Sequence, residues 1–290
     1  MIRIFELKTM KKEMEIKLNN IRNLPTLPEV IQKLSSTIHN VNSSATQVAA
    51  IIEDDPAIMT RVLKVVNSAF YAGVERIDSI QQAVTRIGFT SIYNIALSTS
   101  IFSVFPKKGG GFSRKKFWKH CIGTGIGCNV VYKKLQQYLA SRYPKDLLHL
   151  VGLIHDIGKI VLDEYFNDEF RPIVAESQKT KKALYILEAQ KLGADHAEIG
   201  AWLARKWNLS KEVIEVTRHH HDLMGADNEL SLLCSVADHI CYDKEIGNGG
   251  NGAGGTVDWS KFGFKGVNSE EIVAEVTEEA KNSAIFLEFV

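Results

Sequence analysis

The chain has 290 residues, 45% hydrophobic and 24% charged, enough apolar material for one large or two modest globular domains. Its 35 Lys and Arg nearly balance 34 Asp and Glu, so a formal charge of +1 creates no global field for nucleic acid or an anionic membrane surface. No stretch reaches the roughly 18 apolar residues of a membrane span, and Met1 to Asn23 lacks the apolar run and cleavage site of a secretory leader. A cytoplasmic location, with neither membrane nor nucleic acid as partner, is the expectation.

Helical periodicity dominates and strand alternation is nearly missing, which predicts an all-α protein. Thr26-Leu27-Pro28-Glu29 has the form of a capping box, followed by Val30, Ile31, Leu34 and Ile38 at helical spacing. Asp55-Pro56 opens a second helix with Ile58, Met59, Val62, Leu63 and Val66 inward, and Asn67, Ser68 and Tyr71 are expected to end it and fix the turn. Ser79 caps a third, with Ile80, Ala83, Val84 and Ile87 facing the core and Gly88 as its stop. Ile92, Ile95, Ala96, Thr99 and Phe102 mark a fourth. Pro106 to Gly111 then breaks the pattern. This gives an N-terminal helical subdomain over 14–106 and a second helical subdomain over 112–290.

In the second part, helices are predicted from Ser113 to about Tyr143, and from Pro144-Lys145-Asp146 without interruption through Leu162. Others follow over 181–192, 195–207, 210–222 and 229–243, with a last one starting at Ser269. Asp195 is read as the cap of the helix carrying His196, with Glu198 at its third position. Trp202 and Trp207 read as packing residues. Cys121/Cys128 and Cys234/Cys241 each share one helix face and read as reduced core thiols. The glycine-rich segment 247–255 reads as a flexible, mobile surface loop; no Gly-Lys-Ser/Thr follows it and no strand precedes it, so it is not read as a phosphate cradle.

Eight of the 9 histidines lie between His120 and His239. Among them, His155-Asp156 interrupts an apolar run, and a buried unpaired carboxylate costs several kcal/mol unless it is paired or bound to a metal. Two side chains are too few for a divalent cation, which takes about four to six donors. His120, His196, the run His219-His220-His221, and Asp238 are the candidates to complete the set, each on or beside a predicted helix. The competing reading is a structural His-Asp hydrogen bond at a helix crossing, with Asp238 a solvated acid.

The order His120, His155-Asp156, His196, His220-His221, Asp238 resembles that of the HD phosphohydrolase superfamily, whose members bind one or two metals across a helical bundle. His155-Asp156-Ile157-Gly158-Lys159 is similar to the stretch found in HD-GYP cyclic-dinucleotide phosphodiesterases and their HDOD relatives. Leu24-Pro25-Thr26-Leu27-Pro28, Ile52-Glu53-Asp54-Asp55-Pro56-Ala57, Val66-Asn67-Ser68-Ala69-Phe70-Tyr71 and Ile77-Asp78-Ser79-Ile80-Gln81-Gln82-Ala83-Val84 look like HDOD signatures in HDOD order. The resemblance implies an HD-type helical bundle. Its metal ligands would be His120, His155, Asp156, His196, His220, His221 and Asp238, holding one or two divalent ions of iron, manganese, nickel or zinc. It implies Asp156 as the bridging carboxylate and Lys159 as a contact for substrate phosphate, against the plain alternative of a surface lysine. His221-Asp222-Leu223-Met224-Gly225 stands where HD-GYP proteins carry Gly-Tyr-Pro, which argues against cyclic di-GMP hydrolysis. Lys116 replaces a glutamate seen in some HD-GYP sites, which argues against a third metal.

Two classes of function follow. In the first, favoured by the HDOD resemblance, the chain is a bacterial signalling module acting through a protein partner. In the second it is a metal-dependent phosphohydrolase acting on a nucleotide or other phosphorylated small molecule, with a water activated by the metal.

Overall fold

Side-chain caps set the helix starts in the first half of the chain. The computed structural model describes residues 10–38, 40, 42–68, 71, 76–105, 113–221, 228–251 and 268–281. After α1 (Lys12–Asn19) and α2 (Glu29–Ile38), Ser44 and Gln47 form a reciprocal capping box that opens α3 (Ala45–Glu53). Asp55 Oδ1 accepts from the Ala57 and Ile58 amides, both at 3.0 Å, at the start of α4 (Pro56–Val66). Asn67 then staples the end of α4 to the chain ahead of α5 (Ile80–Ile87): its Nδ2 donates to Ile77 O at 2.7 Å and its Oδ1 accepts from Ile77 N at 2.9 Å. Ser79 caps α5, and Gly88, with φ +87°, ends it in a conformation that favours glycine. The expected capping box at Thr26 is not used in that register, because Glu29 is the first helical residue rather than the third.

The helix α6 (Phe89–Val104) is buried from Ile92 through Phe102 and packs on α2, α4 and α5, with α8 on its other side. Asp146, near the start of α8, accepts from Ser91 Oγ at 2.8 Å and Asn94 Nδ2 at 2.6 Å and so ties the two together.

The second half comprises α7 (Arg114–Leu135), α8 (Lys145–Ile154), α9 (Ile157–Tyr165), α10 (Asn167–Thr180), α11 (Leu184–Leu192), α12 (His196–Lys206), α13 (Lys211–His219), α14 (Glu229–Asp243) and α15 (Ser269–Lys281). The helix from Ser113 stops at Leu135, with one 3-10 turn (Gln136–Tyr138) after it, instead of reaching Tyr143. Periodicity also passed over α1, α3 and α10. No strand occurs among the described residues, and the fold is all-α as expected. One apolar core runs from Met14 to Ala280. The segment before α2 lies on the second half: Lys11 N donates to Gly193 O at 2.8 Å, Tyr165 Oη to Asn23 O at 2.8 Å, and Trp207 Nε1 to Pro25 O at 2.9 Å. The glycines of the breaker segment, 109–111, lie outside the described residues. No described helix is long and apolar enough to cross a membrane.

Two glycine contacts bring the site-bearing helices together. A Cβ on Gly152 would lie 2.5 Å from Gly125 Cα, so α8 crosses α7 at backbone contact. A Cβ on Gly158 would lie 2.0 Å from His196 O, so α9 presses directly on the first turn of α12.

Candidate metal centre

The apolar run through Leu162 is two helices, not one. Ile154 ends α8, His155 is its cap, and Asp156, with φ −97° and ψ 7°, precedes α9. The break removes the difficulty of adjacent helical residues diverging by about 100°. His155 and Asp156 sit at a corner where α7, α12, α13 and α14 converge. His155 is oriented by Nδ1 donating to Gly152 O at 2.7 Å.

Asp156 faces two ways. Its Oδ1 lies 3.1 Å from His196 Nε2 and 3.6 Å from His220 Nε2. His221 completes that side, its Nε2 being 2.8 Å from His196 Nε2. Oδ2 lies 3.4 Å from His155 Nε2 and 3.7 Å from His120 Nε2. Asp238 Oδ1 closes the second side, 2.9 Å from His120 Nε2 and 3.6 Å from His155 Nε2. Two overlapping donor groups suited to a cation result: Asp156, His196, His220 and His221 on one side, and His120, His155 and Asp156 on the other, with donor atoms inside each group within 4.8 Å. Each of the seven residues expected at the site is therefore in the cluster. His219 is not; it turns outward toward Glu215. His239 donates from Nδ1 to Ser235 O and stands apart, while His39 lies outside the described residues.

The donor atoms behave as cation ligands would. His120 Nε2, His155 Nε2, His220 Nε2, Asp156 Oδ1 and Asp238 Oδ1 are buried without a hydrogen-bond partner, although several approach one another closely. Buried polar atoms are rarely left unsatisfied, and here they all aim at one place. His196 Nε2 and His221 Nε2 share a hydrogen bond of 2.8 Å, close enough for both to face one ion. The residues present fit a divalent cation bound through nitrogen and oxygen.

Electrostatics agree. Burial alone would raise the Asp156 carboxyl, but Lys159, His155 and His196 hold it well below the usual carboxylate range. Burial would lower His155, yet Asp156 and Asp238 raise it to about 10. Burial would lower His196 too, and Glu188 with Asp156 raises it to about 9. Burial lowers His220. Lys159 is wholly buried, its Nζ 2.5 Å from Asp156 Oδ2, so the surface-lysine alternative is excluded.

Several contributors carried no motif. Glu188 on α11 accepts from His196 Nδ1 at 2.5 Å and from His196 N at 2.8 Å. A legible signal existed: Glu188 shares the buried face of α11 with Leu184 and Leu187. Tyr185 stacks on His221 with ring centroids 4.4 Å apart. The described part of the glycine-rich segment, expected as a flexible surface loop, lies partly buried beside the centre. Asn248 N donates to Lys116 O at 2.9 Å, Gly249 and Gly250 are buried, and a Cβ on Gly249 would lie 3.0 Å from both Asp156 Oδ2 and Lys159 Nζ. Residues 252–255 lie outside the described residues. Cys121, Cys128, Cys234 and Cys241 are buried and form no disulfide, as expected.

Residues 24–223 match the HDOD domain family. The chain belongs to that family. An HDOD domain protein of unknown function from Geobacter sulfurreducens superposes with a TM-score of 0.77 at 20% identity, covering 96% of this chain and 97% of that one. A candidate phosphohydrolase from Shewanella amazonensis SB2B gives a TM-score of 0.73 at 20% identity, covering 96% and 98%. At such identities the likeness is one of HDOD fold. An uncharacterised protein of Treponema pallidum (strain Nichols) is 28% identical over 220 residues, 75% of this chain; the match spans 41% of that protein's length.

Proposed function

We propose that this HDOD protein is a signalling module that binds a divalent cation at the Asp156 centre and acts through a protein partner. The cation would be held by His196, His220, His221, His120, His155, Asp238 and the shared Asp156. One observation carries the reading: the donors are shielded, with His155, His196 and His220 at 0% exposure and Asp156 at 1%, while Gly249 lies against Asp156 Oδ2. A centre so enclosed suits tying helices together better than admitting a bulky phosphoester.

A second reading, metal-dependent phosphohydrolase, is favoured by the Lys159 ammonium beside Asp156. A cleft of about 760 Å3, lined in part by Lys116, Lys119 and Lys181 and by Gly247, Asn248 and Asn251 of the glycine segment, adds to it. A bound cation there supplies Lewis-acid and water-activating chemistry. Lys159 would offset charge on a phosphate, and Asp156 would orient the surrounding imidazoles. Metal analysis followed by hydrolysis assays on nucleotides and cyclic dinucleotides separates the two. Stoichiometric metal without turnover is the expected result. Robust turnover abolished by Asp156→Ala would replace the signalling reading with the enzymatic one.

A further inference from the structure

The two sides of the centre are built differently. On one side, His196 is held twice by a single carboxylate oxygen: Glu188 Oε2 accepts from its ring Nδ1 at 2.5 Å and from its backbone amide at 2.8 Å. That pair fixes the ring and sets Nε2 on the Asp156 Oδ1 side, 3.1 Å away, where it would be a strong ligand to a cation. Glu188 is completely buried, and its second oxygen has no hydrogen-bond partner, so its charge is spent on His196. His220 is set by Nδ1 donating to Thr217 O at 2.8 Å.

On the other side His155 is set by Nδ1 donating to Gly152 O at 2.7 Å, but no carboxylate backs a ring as Glu188 backs His196, and the side carries a competitor. His120 Nδ1 is buried without a hydrogen-bond partner, so nothing fixes that ring from behind. The carboxylate oxygen facing His120 and His155 is Asp156 Oδ2, already bonded by the Lys159 ammonium at 2.5 Å. Asp238 adds a second negative charge there, and Lys159 offsets it. The main chain at Gly249 also fills the approach on this side: a Cβ there would stand 3.0 Å from Asp156 Oδ2, 3.0 Å from Lys159 Nζ and 3.3 Å from His120 Cδ2.

We infer that the centre is asymmetric: the His196/His220/His221 side, with Glu188 as its positioning residue, retains a divalent cation tightly, whereas Lys159 makes the His120/His155/Asp238 side weak and exchangeable. The inference rests on the reading of this cluster as a cation centre. It assigns Glu188 and Lys159 opposite effects on two neighbouring ions, which neither residue would have as mere packing.

The test is a metal count. Protein stripped with a chelator is reloaded with zinc alone, then with manganese alone, and dialysed against metal-free buffer. Wild type should retain one equivalent and take a second only in excess metal. Glu188→Gln should weaken the retained equivalent about 10- to 100-fold. Lys159→Met should raise retention from one equivalent toward two for manganese as well as zinc, in protein whose helical circular dichroism matches wild type, since the exposed thiols of an unfolded chain would favour zinc. His120→Ala should abolish only the weak second ion. Two equally held ions in wild type, or loss of the retained ion in His120→Ala but not in Glu188→Gln, would overturn the asymmetry while leaving the cation centre standing. No retained ion under any loading would remove the centre itself.

Discussion

Buried ionisable side chains in this protein divide by whether a partner charge faces them. Asp156 and Lys159 answer each other, which keeps both ionised against the penalty of burial. His149, six residues before His155, is pushed down by burial, to about 3. In the unfolded chain it titrates near 6.5, so between that pH and about 3 the unfolded state binds the extra proton. Stability must therefore fall as pH drops through this window, by up to about 1.4 kcal/mol per pH unit from this group. Asp156 and Asp238, both held low, add losses as the solution becomes more acid still. Urea unfolding of chelator-treated wild type and His149→Gln at pH 7, 5.5 and 4.5 isolates the His149 share as the difference between them, because His220 and His221, also pushed down by burial, titrate in both. His149→Gln should flatten the pH dependence; an unchanged slope would show that His149 is not buried in neutral form.

At the scale of elements, the close crossing of α9 on α12 is what sets His196 beside Asp156. Gly158 permits it, since a Cβ would stand 2.0 Å from His196 O and 2.7 Å from Gly200 N, both main-chain atoms that cannot turn aside. Gly158→Ala should therefore cost about 1–3 kcal/mol, as overpacking does. It should also displace His196 and reduce zinc retention; a variant that is destabilised yet keeps its zinc would separate the crossing from the site. The sequence displayed these parts unevenly. Apolar spacing and caps at Ser79, Asp55 and Asp195 were legible because they are local. The break at His155-Asp156 was not: both flanking helices are so apolar that the periodicity runs straight through it. The donor set could be listed residue by residue, but its division between Asp156 Oδ1 and Oδ2 depends on helix crossings that no local pattern records. Glycine content marked 247–255 as a surface loop, while in its described part Gly249 and Gly250 are buried beside α7 and Asp156.

For the molecule as a whole, the donors come from α7, the α8–α9 corner, α12, the end of α13 and α14, whereas α2 to α5 supply none. A cation that binds only the folded arrangement stabilises it by mass action, about 4 kcal/mol when free metal is a thousand times its dissociation constant. The gain should not be spread evenly. α13 contacts α8, α12 and α14, so a bound cation would close a ring of helices at this end. α2 to α5 make their main contact with that ring through α6, which packs on α8. Local openings of α12 to α14 are therefore coupled to the cation, and openings among α2 to α5 are coupled to it only through complete unfolding. Hydrogen exchange with and without chelator reads this out amide by amide. Zinc should slow exchange at the start of α12 and through α13 and α14 well beyond its effect on α2 to α5. Equal slowing everywhere would mean that the two halves open only together, and that the centre braces the entire bundle rather than the ring around Asp156.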